Sequence, residues 1–323
     1  MIDSIRREFE QVLQHYCDSL PDSALYHPVK YILSLGGKRI RPILVVLSSR
    51  AFGGDDKVAY HGALAIEIFH NFSLVHDDIM DEAPLRRGNE TVHSKWNDNA
   101  AILSGDAMLI EAYKQIAQTG VARLAEVLQV FNTTSIEVCE GQQRDMDFEQ
   151  RTEVGVDEYI EMIRLKTAVL IGCALEIGAM LAGADERDAC SLYEFGKLAG
   201  LGFQLQDDYL DAFGDPERFG KQVGGDIISN KKTFLSIRAL EKAQGDKATE
   251  LRSIIYDNAI SNSTEKVDRV ISIYRNLEID KETRQKSAFY FESAREALSE
   301  VSLSHEQKTG FRELLAFLEG RKT

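Results

Sequence analysis

From His61 to Asp81 the chain carries Leu64, Ile66, Ile68, Phe69, Phe72, Leu74 and Val75 without an internal proline, and Pro84 stands just beyond. Side chains three and four positions apart share one face of a helix. Here apolar residues fall on most sides, so the segment is expected to be a helix buried among others. The pattern recurs from Val121 to Glu149, Val156 to Leu181, Asp185 to Phe213, Lys232 to Ala243 and Thr264 to Leu277, with a last pair between Lys281 and Phe317. Strand-like alternation is hard to find, and with only 5 prolines in 323 residues the chain is expected to be all-α. The breaks, at Gly36-Gly37, Gly53-Gly54-Asp55, Gly183, Gly214-Asp215-Pro216 and Gly224-Gly225, are short; with no linker among them, residues 1–323 read as a single domain.

Two of these helices end alike. Asp77-Asp78-Ile79-Met80-Asp81 and Asp207-Asp208-Tyr209-Leu210-Asp211 lie 130 positions apart (207 − 77), each closing an apolar run. Residues i and i+4 point the same way, so Asp77 with Asp81, and Asp207 with Asp211, set two carboxylates side by side. Like charges repel there, and the helix dipole disfavours anions at a C-terminus, so a merely solvated acidic turn is a costly reading of either cluster. A cation between the carboxylates removes the cost, and ligands that are all oxygen point to Mg²⁺. His70 and His76 stand nearby, but a hard cation argues against imidazole ligation.

Net charge is −14, from 38 basic and 52 acidic residues, which opposes binding to nucleic acid or an anionic membrane surface. An anionic ligand must therefore be drawn by local cations or bound metal. No run reaches the roughly 18 apolar residues of a membrane span, and the start, Met1 to Glu8, lacks the apolar core of a signal peptide, so a cytoplasmic protein is expected. Cys17, Cys139, Cys173 and Cys190 are scattered singly, as reduced, buried thiols would be.

Cations follow each aspartate cluster: Arg86-Arg87-Gly88 after the first, Lys221 and then Lys231-Lys232 after the second. A further set, Gly36-Gly37-Lys38-Arg39-Ile40-Arg41-Pro42, is a glycine turn with three cations. By itself it reads sooner as an exposed helix start, since it lacks the phosphate-loop pattern and no strand precedes it. Together with Arg86 and Arg87 it makes a second anion pocket that needs no metal, because guanidinium forks match diphosphate oxygens. Arg164-Leu165-Lys166-Thr167 lies inside a helix otherwise rich in Ile, Leu and Ala, where Lys166 either faces a polar site or snorkels outward. Gln204, three residues before Asp207, is expected on the same face as that carboxylate, beside the site or as a core amide.

Taken together, GGKRIRP, DDIMD followed by PLRRG, RLKTA, FQLQDDYLD and FGKQVGGDIISNKKT, in that order over nearly the whole chain, resemble the trans-isoprenyl diphosphate synthases, the polyprenyl synthetase family. The resemblance implies a bundle of antiparallel helices around a central cavity, the two aspartate motifs facing each other at its mouth, in a homodimer. It implies head-to-tail condensation of isopentenyl diphosphate with an allylic diphosphate (dimethylallyl, geranyl or farnesyl), driven by ionisation assisted by three Mg²⁺. Asp77, Asp81 and Asp207 would then bind Mg²⁺ and the allylic diphosphate, with Asp78, Asp208 and Asp211 assisting directly or through water. Arg86, Lys166 and Lys221 would hold that diphosphate, and Lys38, Arg41, His70 and Arg87 would hold isopentenyl diphosphate. Thr167 and Gln204 would flank the reacting carbons, and Lys231 would help close the site.

Product length is read from the helix before the first motif. Phe72 and Ser73, five and four positions before Asp77, lie about 6 to 7.5 Å back along it at ~1.5 Å per residue, where a growing chain must pass. A large Phe72 with a small Ser73 resembles geranylgeranyl (C20) synthases. Farnesyl (C15) synthases of the eukaryotic kind are bulky at both positions, and typical bacterial ones have a longer first motif, so C20 is favoured. The alternatives are a class I terpene cyclase, whose second motif mixes Asn or Asp, Ser or Thr and Glu, and a noncatalytic partner subunit, which usually loses one cluster. This chain keeps both clusters, with DDYLD as the second, and GGKRIRP besides.

Overall fold

A computed structural model describes residues 1–214, 224–256, 260 and 262–320. These are almost entirely helical, as the periodicity predicts. Helices α1 (Ile2–Ser19), α2 (Tyr26–Ser34), α3 (Ile40–Ala51), α4 (Asp56–Met80), α5 (Val92–Lys95), α6 (Asp98–Gln118), α7 (Leu124–Gln150), α8 (Val156–Ile163), α9 (Val169–Leu181) and α10 (Glu186–Phe213) come first. Helices Gly225–Ile228, Phe234–Lys242, Gly245–Tyr256, Ser263–Asn276, Ile279–Glu300 and Thr309–Glu319 follow. Among the described residues no helix is long and apolar enough to cross a membrane.

The chain forms two compact units. The first comprises Met1–Ser135, Leu170–Tyr193 and Glu300–Glu313. Its centre is α4, packed on α3 and α6. This helix starts earlier than its apolar run predicts, because Asp55 accepts the Lys57 N–H at 2.9 Å and so caps it straight after the Gly53-Gly54 break. Ala59, Ala63, Ile66 and Phe69 are buried along it. Small residues allow close approach within this unit: a Cβ at Gly62 would stand 2.5 Å from Leu181 Cδ1, and one at Gly178 2.3 Å from the Val45 carbonyl oxygen.

The second unit comprises Ile136–Val169, Glu194–Ser299 and Leu314–Thr323. Phe148, Tyr159, Leu201, Leu205 and Phe234 form one apolar cluster in it, and Leu235, Leu251, Val270, Ile273 and Tyr274 another.

Three expectations need correction. Residues 156–181 are not one α-helix, since a π-helical turn, Arg164–Ala168, separates α8 from α9. The loop after the first aspartate cluster contains a two-stranded hairpin, β1 (Leu85–Arg86) with β2 (Asn89–Glu90). Of the four cysteines only Cys17 and Cys173 are buried; Cys139 and Cys190 lie on outward faces of α7 and α10.

Candidate active site

The first aspartate cluster ends α4, and its carboxylates are not equivalent. Asp78 is 1% exposed and takes the Arg86 guanidinium, with Nε 2.8 Å from both of its oxygens and Nη2 2.6 Å from Oδ1. Burial pushes the Asp78 carboxyl up from its ordinary value, and Arg86 only partly offsets this. Asp77 is half-buried, 4.0 Å from Arg86 Nη2, and exposed Asp81 closes the helix with its N–H on the Asp77 carbonyl.

Arg86 reaches back because of the hairpin. Arg87 and Gly88, between the strands, both have positive φ, 53° and 76°, as a two-residue type I′ turn requires. Arg87 Nη1 donates to the Gly36 carbonyl, and a Cβ at Gly37 would lie 3.1 Å from the Arg87 guanidinium carbon, so the hairpin is tied to the glycine turn. That turn sorts its cations. Arg39, with φ 50°, is 4% exposed and consumed by structure, donating to Glu10 at 2.9 Å, Glu67 at 2.5 Å and the Leu33 carbonyl at 2.6 Å. Lys38 is exposed, and Arg41 Nη1 meets His70 Nε2 at 3.2 Å. A guanidinium has no acceptor, so His70 accepts and is neutral, its proton on Nδ1. Burial holds the His70 imidazole well below its usual range, and Arg41 and Arg87 add to the effect. Burial likewise brings Arg41 down to about 10, still charged near neutrality. Cations gathered this closely favour an anion among them.

Further back on α4, the Phe72 ring lies 5.6 Å from Phe69 and 4.8 Å from the His76 ring. Ser73 donates to the His70 carbonyl at 2.8 Å. His76 leans on α6, where a Cβ at Gly105 would stand 2.2 Å from its Nε2.

The second unit repeats the inequality of the aspartates. Asp208 is 4% exposed, accepting from Tyr159 Oη and, at 3.1 Å, from Gln204 Nε2; burial, then Asp226, raises its carboxyl to about 7. Gln204 therefore donates to Asp208, four residues on, in the cluster that its spacing suggested. Asp207 is half-buried, and Asp211 Oδ2 accepts the Asp226 N–H at 3.0 Å. Thr167 donates to Gln204 Oε1 at 3.4 Å, completing a chain from Thr167 through Gln204 to Asp208.

Lys166 and Thr167 both sit in the π-turn, a distortion that recurs at functional sites. Helix α7 passes it at Gly141, where a Cβ would stand 2.3 Å from the Lys166 nitrogen and 2.6 Å from its Cα. One turn along α7, Asp145 Oδ2 takes Lys166 Nζ at 2.6 Å, and Lys231 Nζ lies 4.0 Å from the same oxygen. Burial raises the Asp145 carboxyl, but the two lysines outweigh it and hold it below its usual value. The sequence reading missed Asp145 and Tyr159; a glycine in mid-helix one turn before Asp145 was the available signal. Lys221 lies outside the described residues.

The donor chemistry fits Mg²⁺. Asp77, Asp81, Asp207 and Asp211 offer hard carboxylate oxygens, and among the described residues no group of three or more His, Cys, Asp or Glu side chains forms a ready-made metal cage. Mg²⁺ characteristically takes one or two carboxylates and completes its shell with water and phosphate oxygens.

The family model described as polyprenyl synthetase matches residues 22–275. Among relatives, the short chain isoprenyl diphosphate synthase of Methanothermobacter thermautotrophicus is 40% identical over 259 residues, covering 79% of this chain and 80% of that protein. A crystal structure of a geranylgeranyl pyrophosphate synthase superposes with a TM-score of 0.94 at 45% identity, covering 100% of this chain and 99% of the other. A polyprenyl synthase from Caulobacter crescentus, complexed with calcium and isoprenyl diphosphate, has a TM-score of 0.88 at 26% identity, over 100% and 98% of the two chains.

Proposed function

This chain belongs to the polyprenyl synthetase family, and from that premise we propose that it joins isopentenyl diphosphate head-to-tail to an allylic diphosphate, giving an all-trans prenyl diphosphate of C20. It is a prenyltransferase of isoprenoid biosynthesis with the all-α isoprenoid synthase fold. The observation that carries the substrate assignment is the convergence of Arg41, His70 and Arg87 beside, but distinct from, the Asp78–Arg86 pair. One anion can be held by cations alone while a second is held at carboxylates, which suits two diphosphates and distinguishes a synthase from a cyclase.

Asp77, Asp81, Asp207 and Asp211 would hold Mg²⁺, three ions as the resemblance implies, and with it the allylic diphosphate. When bound, the metal neutralises charge developing on the departing diphosphate. Asp78 and Asp208, buried and hydrogen-bonded, act instead on Arg86 and on Gln204 with Tyr159. Arg86, Lys166 and Lys221 draw the allylic diphosphate away from its carbon, and Lys231 closes over it. The allylic cation left behind is stabilised by the oxygens of Thr167 and Gln204, and it requires surroundings that exclude water. Lys38, Arg41, His70 and Arg87 hold isopentenyl diphosphate so that its double bond attacks that cation. The departing diphosphate takes the proton whose loss restores the alkene. Phe72 and Ser73 set the floor. The chain acts in the cytoplasm as a single domain, and it pairs as a homodimer, as the resemblance implies.

The test is turnover of labelled isopentenyl diphosphate with dimethylallyl, geranyl and farnesyl diphosphates offered separately, with Mg²⁺ and after chelation. Elongation to C20, abolished by chelation, is expected; cyclised products or inertness would overturn the assignment.

A further inference from the structure

Lys266 is 5% exposed in the first turn of helix Ser263–Asn276, away from the residues assigned roles above. Lysines are seldom buried so deeply. Its Nζ donates to the Ile228 carbonyl at 3.1 Å and to Asn230 Oδ1 at 2.7 Å, both neutral acceptors. The next residue, Val267, grips the start of the same segment: a Cβ at Gly224 would stand 2.6 Å from Val267 Cγ2.

The segment so held has candidate site residues at both ends. The Gly224 N–H donates to the Asp211 carbonyl at 2.6 Å and the Asp226 N–H to the Asp211 side chain at 3.0 Å. At its other end Asn230, with φ 56°, reverses the chain, and the Lys231 N–H returns to the Asp226 carbonyl at 2.8 Å. Lys231 then lies 4.0 Å from the Asp145 oxygen that binds Lys166.

We propose that Lys266 is a positioning residue for prenyl transfer: by fixing the Ile228 carbonyl and the Asn230 side chain, it sets the reverse turn that delivers Lys231 to the Asp145–Lys166 pair. This rests on the prenyl-transfer reading and extends it to a residue that touches neither substrate.

Lys266→Met keeps the apolar stem and removes the donor. It is expected to lower kcat/KM for the allylic diphosphate about tenfold while leaving KM for isopentenyl diphosphate within about twofold of wild type. Because Lys266 acts through Lys231, adding Lys266→Met to Lys231→Ala is expected to lower activity by no more than about twofold below Lys231→Ala alone. Losses that multiply in the double variant overturn the proposal, as does a lowered melting temperature with unchanged kinetics. Should Lys266→Met fail to fold, Asn230→Gly, which tolerates the positive φ and removes the acceptor, enters the same cycle under the same criteria. An inert wild type overturns both the reading and this proposal; an active wild type with multiplying losses overturns this proposal alone.

Discussion

Gly141→Ala isolates the packing that holds the π-turn. A Cβ at this position would sit 2.3 Å from the Lys166 nitrogen, and the nearest atoms, Lys166 N and Cα and Leu165 C, are backbone that cannot rotate aside. Restoring an ordinary separation of about 3.5 Å moves helix or turn by roughly 1 Å. Such overpacking costs about 1–3 kcal/mol, while the better helix propensity of alanine returns about 1 kcal/mol. The net loss, about 0–2 kcal/mol, lowers the melting temperature by only a few degrees. Activity suffers more, because the shift separates Lys166 from Asp145, now at 2.6 Å, and Thr167 from Gln204, now at 3.4 Å. Misplacement of about 1 Å costs on the order of 100-fold. Initial rates of isopentenyl diphosphate incorporation, with thermal melting by circular dichroism, measure both effects. A kcat/KM within about threefold of wild type would refute the reasoning. So would an equal loss in Gly155→Ala, where φ is −86° and the nearest atom to a Cβ is Glu158 Oε2 at 3.6 Å.

Phe72→Ala removes the ring that packs 5.6 Å from Phe69 and 4.8 Å from His76, and products longer than C20 are expected on reversed-phase chromatography; unchanged length would exclude Phe72 as the floor. His70 is held neutral below the usual ~6.5 by burial and by Arg41, Arg87, Arg86 and Arg39, so on acidification the unfolded chain takes up the proton first. Its contribution to stability is full above about pH 6.5 and is lost as pH falls below that, so His70→Gln should show a shallower acid-side decline in melting temperature; parallel profiles would count against it. Asp78→Ala strands Arg86, which is 24% exposed, and is expected to cost about 3–5 kcal/mol by urea denaturation, against under about 1 kcal/mol if the pair were incidental.

The helices were legible because burial on most sides writes apolar periodicity into the chain, and α4 and α10 show it directly. The aspartate clusters were legible because charge repeated at i and i+4 stands out against that background. The division of labour within each cluster was not. Asp77 and Asp78 are the same residue type, and what separates them is the hairpin that brings Arg86 onto one of them. That hairpin was hidden because its strands are two residues long, although Arg87-Gly88 is a pair able to take two positive φ angles. The π-turn leaves no local trace in Arg164–Ala168, and the close backbone approach that accompanies it lies on α7 at Gly141. Arg39 and Arg41 likewise look interchangeable until Glu67 claims the first and His70 meets the second.

A π-turn contains one residue more than an α-helix needs at that place, so the Lys166–Thr167 pair depends on residue count as well as residue type. Substitution leaves the count unchanged, and no point change can straighten the helix by shortening it. Deleting a single residue between Arg164 and Ala168 can, because it removes the extra residue of the π-turn while the helix beyond keeps nearly its former direction around the axis. A one-residue gap at this stretch in a related sequence therefore marks a chain in which the lysine and threonine have lost their shared wall, even where both letters survive.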